Sequence, residues 1–349
     1  MKRVSVFLGV FVLGILAQTP SPPAVVKDGT GAVLFLRFSP DGRELARICQ
    51  FGPVALLDTA GYHRARTFSV GMRMVAYSPD GTKIATAEGT DGARVWDAVV
   101  KGRLIPQSVM EEVYMLDAPL RVLEAPSKDP KLRVFWTEFS PDGKRLITTY
   151  ANGHVKVWDT NSWVVERDLV LTDTEVHAAA FSPDGKTVMI GDIYGGLHQW
   201  SFADNAEIKS LPGPNYGGAI SGVVFSPDGS TLVTTHKGAS GSVAMLWNTK
   251  GWIAQVESGF SSAAFSKDGK LLALGGNQIK LIDASTRKQI RTIELPQMTM
   301  AEAAHQFQSQ PNANVKTPIL LGALAFSPDG RTLAAGNVDT TIRLVPMTP

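Results

Sequence analysis

The side chains best suited to bind a metal or move a proton are six histidines, at 63, 154, 177, 198, 236 and 305, and a single cysteine, Cys49. Their spacing assembles nothing along the chain. No His-Glu-x-x-His helix, Walker sequence, Gly-rich dinucleotide turn or EF-hand loop occurs. "GAISG" (218–222) holds a serine between glycines but not at the centre of a nucleophile elbow. A metal site would have to be built in space from histidines on different elements, and a structural or surface role for them is expected instead. Cys49 has no partner for an intramolecular disulfide. It ends an apolar run from Leu45 and reads as a small packing residue. These residues imply no cofactor, no metal and no catalytic set.

The charge balance narrows the partners. The chain has 34 Lys and Arg against 32 Asp and Glu, and Lys2 and Arg3 supply the whole surplus. A nucleic-acid binder normally carries a basic excess, so nucleic acid is not expected. The first residues, MKRVSVFLGVFVLGILAQTPSPP, set two bases before an apolar run from Val4 to Leu16. That layout is read as a signal peptide over 1–17 with a proline-rich linker at 18–23, giving an exported chain, periplasmic or secreted. A membrane span needs about 20 apolar residues, so no stable span is expected after the signal is removed.

What must position any site is a repeat. FSPDG begins at Phe38 and returns as YSPDG at Tyr77, FSPDG at Phe139, Phe181 and Phe225, FSKDG at Phe265 and FSPDG at Phe326. Pro fits the first central position of a type I turn, Asp follows well, and Gly accepts the positive φ that leaves the turn. Each copy is therefore a hairpin corner, entered by a short run of small or β-branched residues such as 176–181 and left by another such as "STLVTTH" (230–236). A third run ends in Trp at 96, 158, 200 and 247, and a fourth closes several units. Those tryptophans recur at one place and read as packing between units. Seven four-stranded units cannot each bury two faces alone but can when packed radially. The expected fold is all-β: a single seven-bladed propeller over 24–349.

The units resemble WD repeats, with Trp96-Asp97 and Trp158-Asp159 as the defining dipeptides, Trp200-Ser201 and Trp247-Asn248 as degenerate forms, and Leu57, Ile282 and Val345 in place of Trp elsewhere. The Gly-His pair of such repeats is missing, which implies that their buried His-Asp network is absent, with Asp339 and partly Asn152 as remnants of its acid. TolB-type envelope propellers also use SPDG turns and are the nearest alternative. The resemblance implies a non-enzymatic scaffold for a protein or peptide partner. A channel-based enzyme of the lactonase or hydrolase type is the other reading; its need for convergent carboxylates and histidines is poorly met by inner strands of Ala, Val, Gly and Ser.

Three departures from the repeat carry the finer expectations. The last unit lacks a fourth strand, and 24–27 has no local partner, so the N-terminal segment should close the ring. Two connections, at about 107–131 and 296–318, are some 20 residues too long. Read as blade-to-blade links, both would rise from one face as short capped helices, placing Met110, Tyr114, Met300 and Phe307 as anchors for a partner bound by a monomer. Finally, five units put Ala or Val before the corner aromatic, whereas the first has Arg37 and the third Glu138. These two are expected to line a solvated channel or to meet across the second blade.

Overall fold

The computed structural model describes residues 25–27, 30–51, 53–70, 74–90, 92–98, 119–124, 132–211, 218–238, 241–295, 297–299, 316–318 and 321–347. They form seven four-stranded antiparallel sheets and one two-stranded ribbon, Gln297–Thr299 with Lys316–Pro318. Blade 3 shows the plan: Val134–Phe139, Arg145–Tyr150, His154–Asp159 and Val165–Val170 pair in chain order. The first strands of successive blades, beginning Thr30, Met74, Val134, Val176, Ala219, Phe260 and Leu321, touch one another round the ring. Val25–Lys27 pairs with Thr341–Pro346 as the outer strand of blade 7, Val26 opposite Ile342. The ring is thus closed by the two ends of the described chain, and Val26 is buried with Val33, Ile342 and Leu344.

The recurring pentapeptide has two jobs. Within a corner, Gly42 N–H donates to Ser39 O, and Ser39 Oγ donates to the Asp41 carboxylate while accepting from Glu44 N–H. All seven corners repeat the Ser-to-Asp bond at 2.5–2.7 Å. Between corners, the proline of one blade packs on the glycine of the next. A Cβ placed on Gly42 would lie 3.4 Å from Pro328, on Gly143 3.5 Å from Pro79, and on Gly269 3.5 Å from Pro227. Gly81, Gly185 and Gly229 sit likewise against Pro40, Pro141 and Pro183. The exception is Gly330, which meets nothing within 4 Å because blade 6 carries Lys267 instead of proline.

Apolar clusters fill the seams. Leu56, Ile84 and Trp96 join blades 1 and 2, Val157, Ile190 and Phe181 join 3 and 4, and Leu246, Leu272 and Leu274 join 5 and 6. The recurrent tryptophans share one register, with Leu57, Ile282 and Val345 in their places. Trp96, Trp158 and Trp247 Nε1 donate to Thr86, Thr148 and Thr234 Oγ1 at 2.8–2.9 Å. Each threonine bonds in turn to the residue two places on: Glu88, Tyr150 or His236. This second-strand relay stands where the resemblance implied a lost His-Asp network. In blade 4 the threonine is Ile190, and the indole Nε1 of Trp200 is buried without a partner among the described residues.

One expectation fails here. Antiparallel pairing puts the SPDG corners and the third-to-fourth connections on one face, the corner face, and the second-to-third turns and blade links on the other, the link face. Arg121–Glu124 is the fourth strand of blade 2, paired with Ala93–Asp97. The first long connection therefore joins the third and fourth strands and leaves from the corner face. The second, between Gln289–Glu294 and Leu321–Phe326, is a true blade link on the link face. The two insertions depart from opposite faces, not one. Met110, Tyr114, Met300 and Phe307 lie outside the described residues, as do the signal peptide and linker; Thr299, inside the second long connection, ends a strand of the ribbon stem.

Candidate interaction surface at the channel mouths

The inner strands are not regular. In six blades the register of the first strand slips by one residue near its link-face end. A bulge of this kind leaves one residue outside the ladder and re-aims its side chain. The residues so released include Leu34, Phe135, His177, Ser221 and Ser261. They hold the same bulge position in the first strands of blades 1, 3, 4, 5 and 6, toward the link-face end of the channel.

The mouth is chemically mixed. Leu34 is 49% exposed, a large apolar group facing water. Phe135 and His177, from adjacent blades, meet with ring centroids 4.1 Å apart. His177 Nε2 lies 2.9 Å from Glu175 Oε2, and the Arg133 guanidinium is 6.0 Å from the Phe135 ring. Ser221 Oγ donates to Thr235 O at 3.2 Å. Ile193 N–H bonds Glu175 O, which brings the turn bearing the exposed Tyr194 beside this cluster. Sequence reasoning missed the ring, because a bulge shows only when the partner strand's register is known.

Toward the corner face the channel holds a charge clamp. Arg37 Nη1 and Nη2 donate to the two Glu138 oxygens at 3.0 and 2.6 Å, across blade 2, where Ala76 holds the equivalent place. Burial alone would lower the Arg37 pKa, but the charge and hydrogen bonds of Glu138 outweigh it and raise it. So the two charged departures from the repeat are brought together as a bidentate pair.

The other histidines serve local pairs. His198 sits between Asp192 Oδ2 (3.2 Å) and Glu207 Oε1 (2.7 Å), and the bond to Asp192 leads the effects that raise its pKa. His177 and His198 share no partner among these bonds. Among the described residues no group of three or more His, Cys, Asp or Glu side chains is arranged to hold a metal. Nor is any helix there long and apolar enough to cross a membrane.

Comparison with known proteins agrees with this architecture. The family model "WD domain, G-beta repeat" matches residues 118–159, 205–248 and 316–345. The chicken serine-threonine kinase receptor-associated protein is 25% identical over 270 residues, 76% of this chain and 63% of that protein. Eukaryotic translation initiation factor 3 subunit I of Emericella nidulans is 23% identical over 329 residues, 88% of this chain and 89% of its own. Protein HIR1 of Yarrowia lipolytica is 27% identical over 188 residues, 46% of this chain and 17% of its own. The chain spans less than two thirds of the length of the first relatives it matches. The chain folds as a seven-bladed propeller with WD repeats at the matched residues, and the TolB-type alternative is not needed. The expectation of an exported chain is contradicted by the same findings, because these relatives are intracellular eukaryotic proteins, a translation initiation factor subunit among them. WD-repeat propellers related to this chain are non-enzymatic protein-interaction scaffolds.

Proposed function

We propose that this protein is a monomeric, non-enzymatic scaffold that binds a protein or peptide partner at the link-face mouth of its channel. The observation that carries the reading is the ring of bulge residues, which sets exposed Leu34, the Phe135–His177 pair and the serines 221 and 261 around one opening. Bulges are over-represented beside functional sites, where they re-aim a side chain; here Leu34 and His177 present the exposed surface, and the buried Phe135 backs the His177 ring. The insertion bearing Met300 and Phe307 starts and ends on this face, at the ribbon Gln297–Thr299 with Lys316–Pro318, and supplies further adaptable anchors. Met110 and Tyr114 belong to the insertion on the corner face and would serve a separate contact. A channel enzyme would need more converging groups than the Glu175–His177 pair that the described mouth offers.

The test is quantitative. A partner captured by cross-linking to the wild-type protein and then purified should bind Leu34→Asp/His177→Ala at least about tenfold more weakly. Thermal stability should stay within about 1 kcal/mol, since both side chains are partly exposed. Undiminished affinity in this variant and in a chain lacking 300–315 would refute the reading.

A further inference from the structure

Three of the corner-face clefts between blades are filled by the chain's own arginines. Between blades 1 and 2, Arg66 donates from Nη1 and Nη2 to Ala98 O and Asp97 O, both at 2.9 Å. Between blades 3 and 4, the Arg145 guanidinium lies 4.9 Å over the Phe202 ring and donates to both Glu166 oxygens at 2.8 and 3.1 Å. Between blades 5 and 6, Arg287 Nη1 reaches back to Leu246 O at 3.3 Å.

The cleft between blades 4 and 5 differs. It holds a cavity of about 350 Å³ lined by Asp184, Thr187, Gln199, Asp228, Thr249 and Trp252, with Phe225 and Pro183. Register explains the space. Thr187 pairs with Ser201 as Arg145 pairs with Asp159, so it is blade 4's counterpart of Arg145. Thr249 follows Asn248 as Phe202 follows Ser201, so it is blade 5's counterpart of Phe202. Two threonines stand where the previous cleft has an arginine and the ring beneath it.

The lining is also charged for a cation. It contains two carboxylates and no Lys, Arg or His. Hydroxyl donation from Ser182 and Ser226 holds Asp184 and Asp228 below the usual carboxylate range, so both are ionised. After the corner, where five other blades place Arg43, Lys144, Lys186, Lys270 or Arg331 and blade 2 has Thr82, blade 5 has Ser230. Lys209, on the outer strand of blade 4, has its ammonium 5.5 Å from the Trp252 ring without lining the cavity; Lys186 lies 3.9 Å from Asp184 and points largely into solvent.

From this arrangement we infer that the cleft between blades 4 and 5 receives an arginine side chain of a bound peptide, its guanidinium meeting Asp184 and Asp228 against Trp252. A planar guanidinium pairs with carboxylates through several donors while stacking on an aromatic face, which a compact ammonium does not match. The site is on the face opposite the bulge ring and stands independently of that reading.

The test uses the full chain and Nα-acetyl-arginine amide, followed through the Trp252 indole N–H resonance, which Trp252→Phe identifies. Capped arginine should bind at least about tenfold more tightly than capped citrulline, its neutral isostere, and more tightly than capped lysine. Asp184→Asn/Asp228→Asn should weaken binding by about the same factor, and Thr187→Arg, which restores the filling seen one cleft earlier, should abolish it. Leu34→Asp/His177→Ala should leave it unchanged, so failure here and failure of the link-face reading are separable. Equal affinity for citrulline, or binding undiminished in the aspartate and Thr187 variants, overturns the assignment. Free arginine binding more tightly than the capped form would overturn its peptide source.

Discussion

Replacing Lys267 by proline should stabilise the protein, and the ring of corners says by how much. Six corner glycines have a proline of the preceding blade beside them, and Gly330 alone has none within 4 Å. The blade 6 corner already has the geometry proline needs: Gly269 N–H donates to Ser266 O, Ser266 N–H to Leu271 O, and the N–H of Lys267 takes part in neither bond. Gly269, at φ +71, matches its counterparts at +68 to +74. Proline there narrows the unfolded ensemble, which is worth about 0.4–1 kcal/mol. Covering roughly 20 Å² of apolar surface against Gly330 adds about 0.5 kcal/mol. The sum, about 1–1.5 kcal/mol, corresponds to a rise in melting temperature of roughly 1–2 °C for a chain of this length. Calorimetry on Lys267→Pro measures it, with Pro227→Lys, which strips Gly269 of its neighbour, as the reverse arm expected to fall by a similar amount. If Lys267→Pro melts at or below the wild-type temperature while Pro227→Lys is neutral, corner interlocking is not what the repeated pentapeptide provides.

Other expectations follow from the same coordinates. Val26→Asp puts a charge into the closing strand's buried face and should cost at least about 2 kcal/mol in denaturant unfolding. Glu138→Ala should cost about 1–2 kcal/mol, less than the 3–5 of a fully buried pair because both partners keep some exposure, and the Arg37→Ala/Glu138→Ala double variant should recover part of it in a double-mutant cycle. All seven corner aspartates titrate below the usual range, chiefly because a serine hydroxyl donates to each. Their stabilisation is complete above the unfolded carboxylate pKa and is lost as pH falls through the folded values; Ser226→Ala should therefore shift acid unfolding to higher pH. Asp283, held at about 2 by the Thr286 N–H and the Ser285 and Thr286 hydroxyls, should show that midpoint by NMR. His198, raised chiefly by Asp192, stabilises fully below about pH 6.5 and loses its contribution as pH rises through its folded pKa.

The corners were legible because Pro, Asp and Gly each have a narrow backbone preference and recur in a fixed order; seven copies left little choice of fold. The closing strand was legible by arithmetic, since a seventh blade one strand short needed 25–27. Arg37 and Glu138 stood out because the repeat specified a small residue at their position, although only coordinates show that they grip each other past Ala76. The fourth strand of blade 2 was hidden. It is four residues, Arg121–Glu124, and Val122 is 53% exposed, so it carries almost no alternation to read. The bulge ring was hidden for another reason: an unpaired residue looks like any other until its partner strand is aligned beside it.

Missing that one short strand had a consequence larger than its length. In an antiparallel blade each strand passed moves a connection to the opposite face, so misplacing an insertion by one strand turned two faces into one. With the true parity, the link face carries Leu34, Phe135 and His177, and the corner face carries the carboxylates and the open cleft beside Trp252. No residue is shared between the two sets. For a single partner long enough to touch both faces, losses from Leu34→Asp/His177→Ala and from Asp184→Asn/Asp228→Asn should therefore add within about 0.5 kcal/mol in the combined variant. A larger deviation, measured by titration calorimetry with that partner, would mean that the blades transmit strain across the ring and that the faces do not act as separate surfaces.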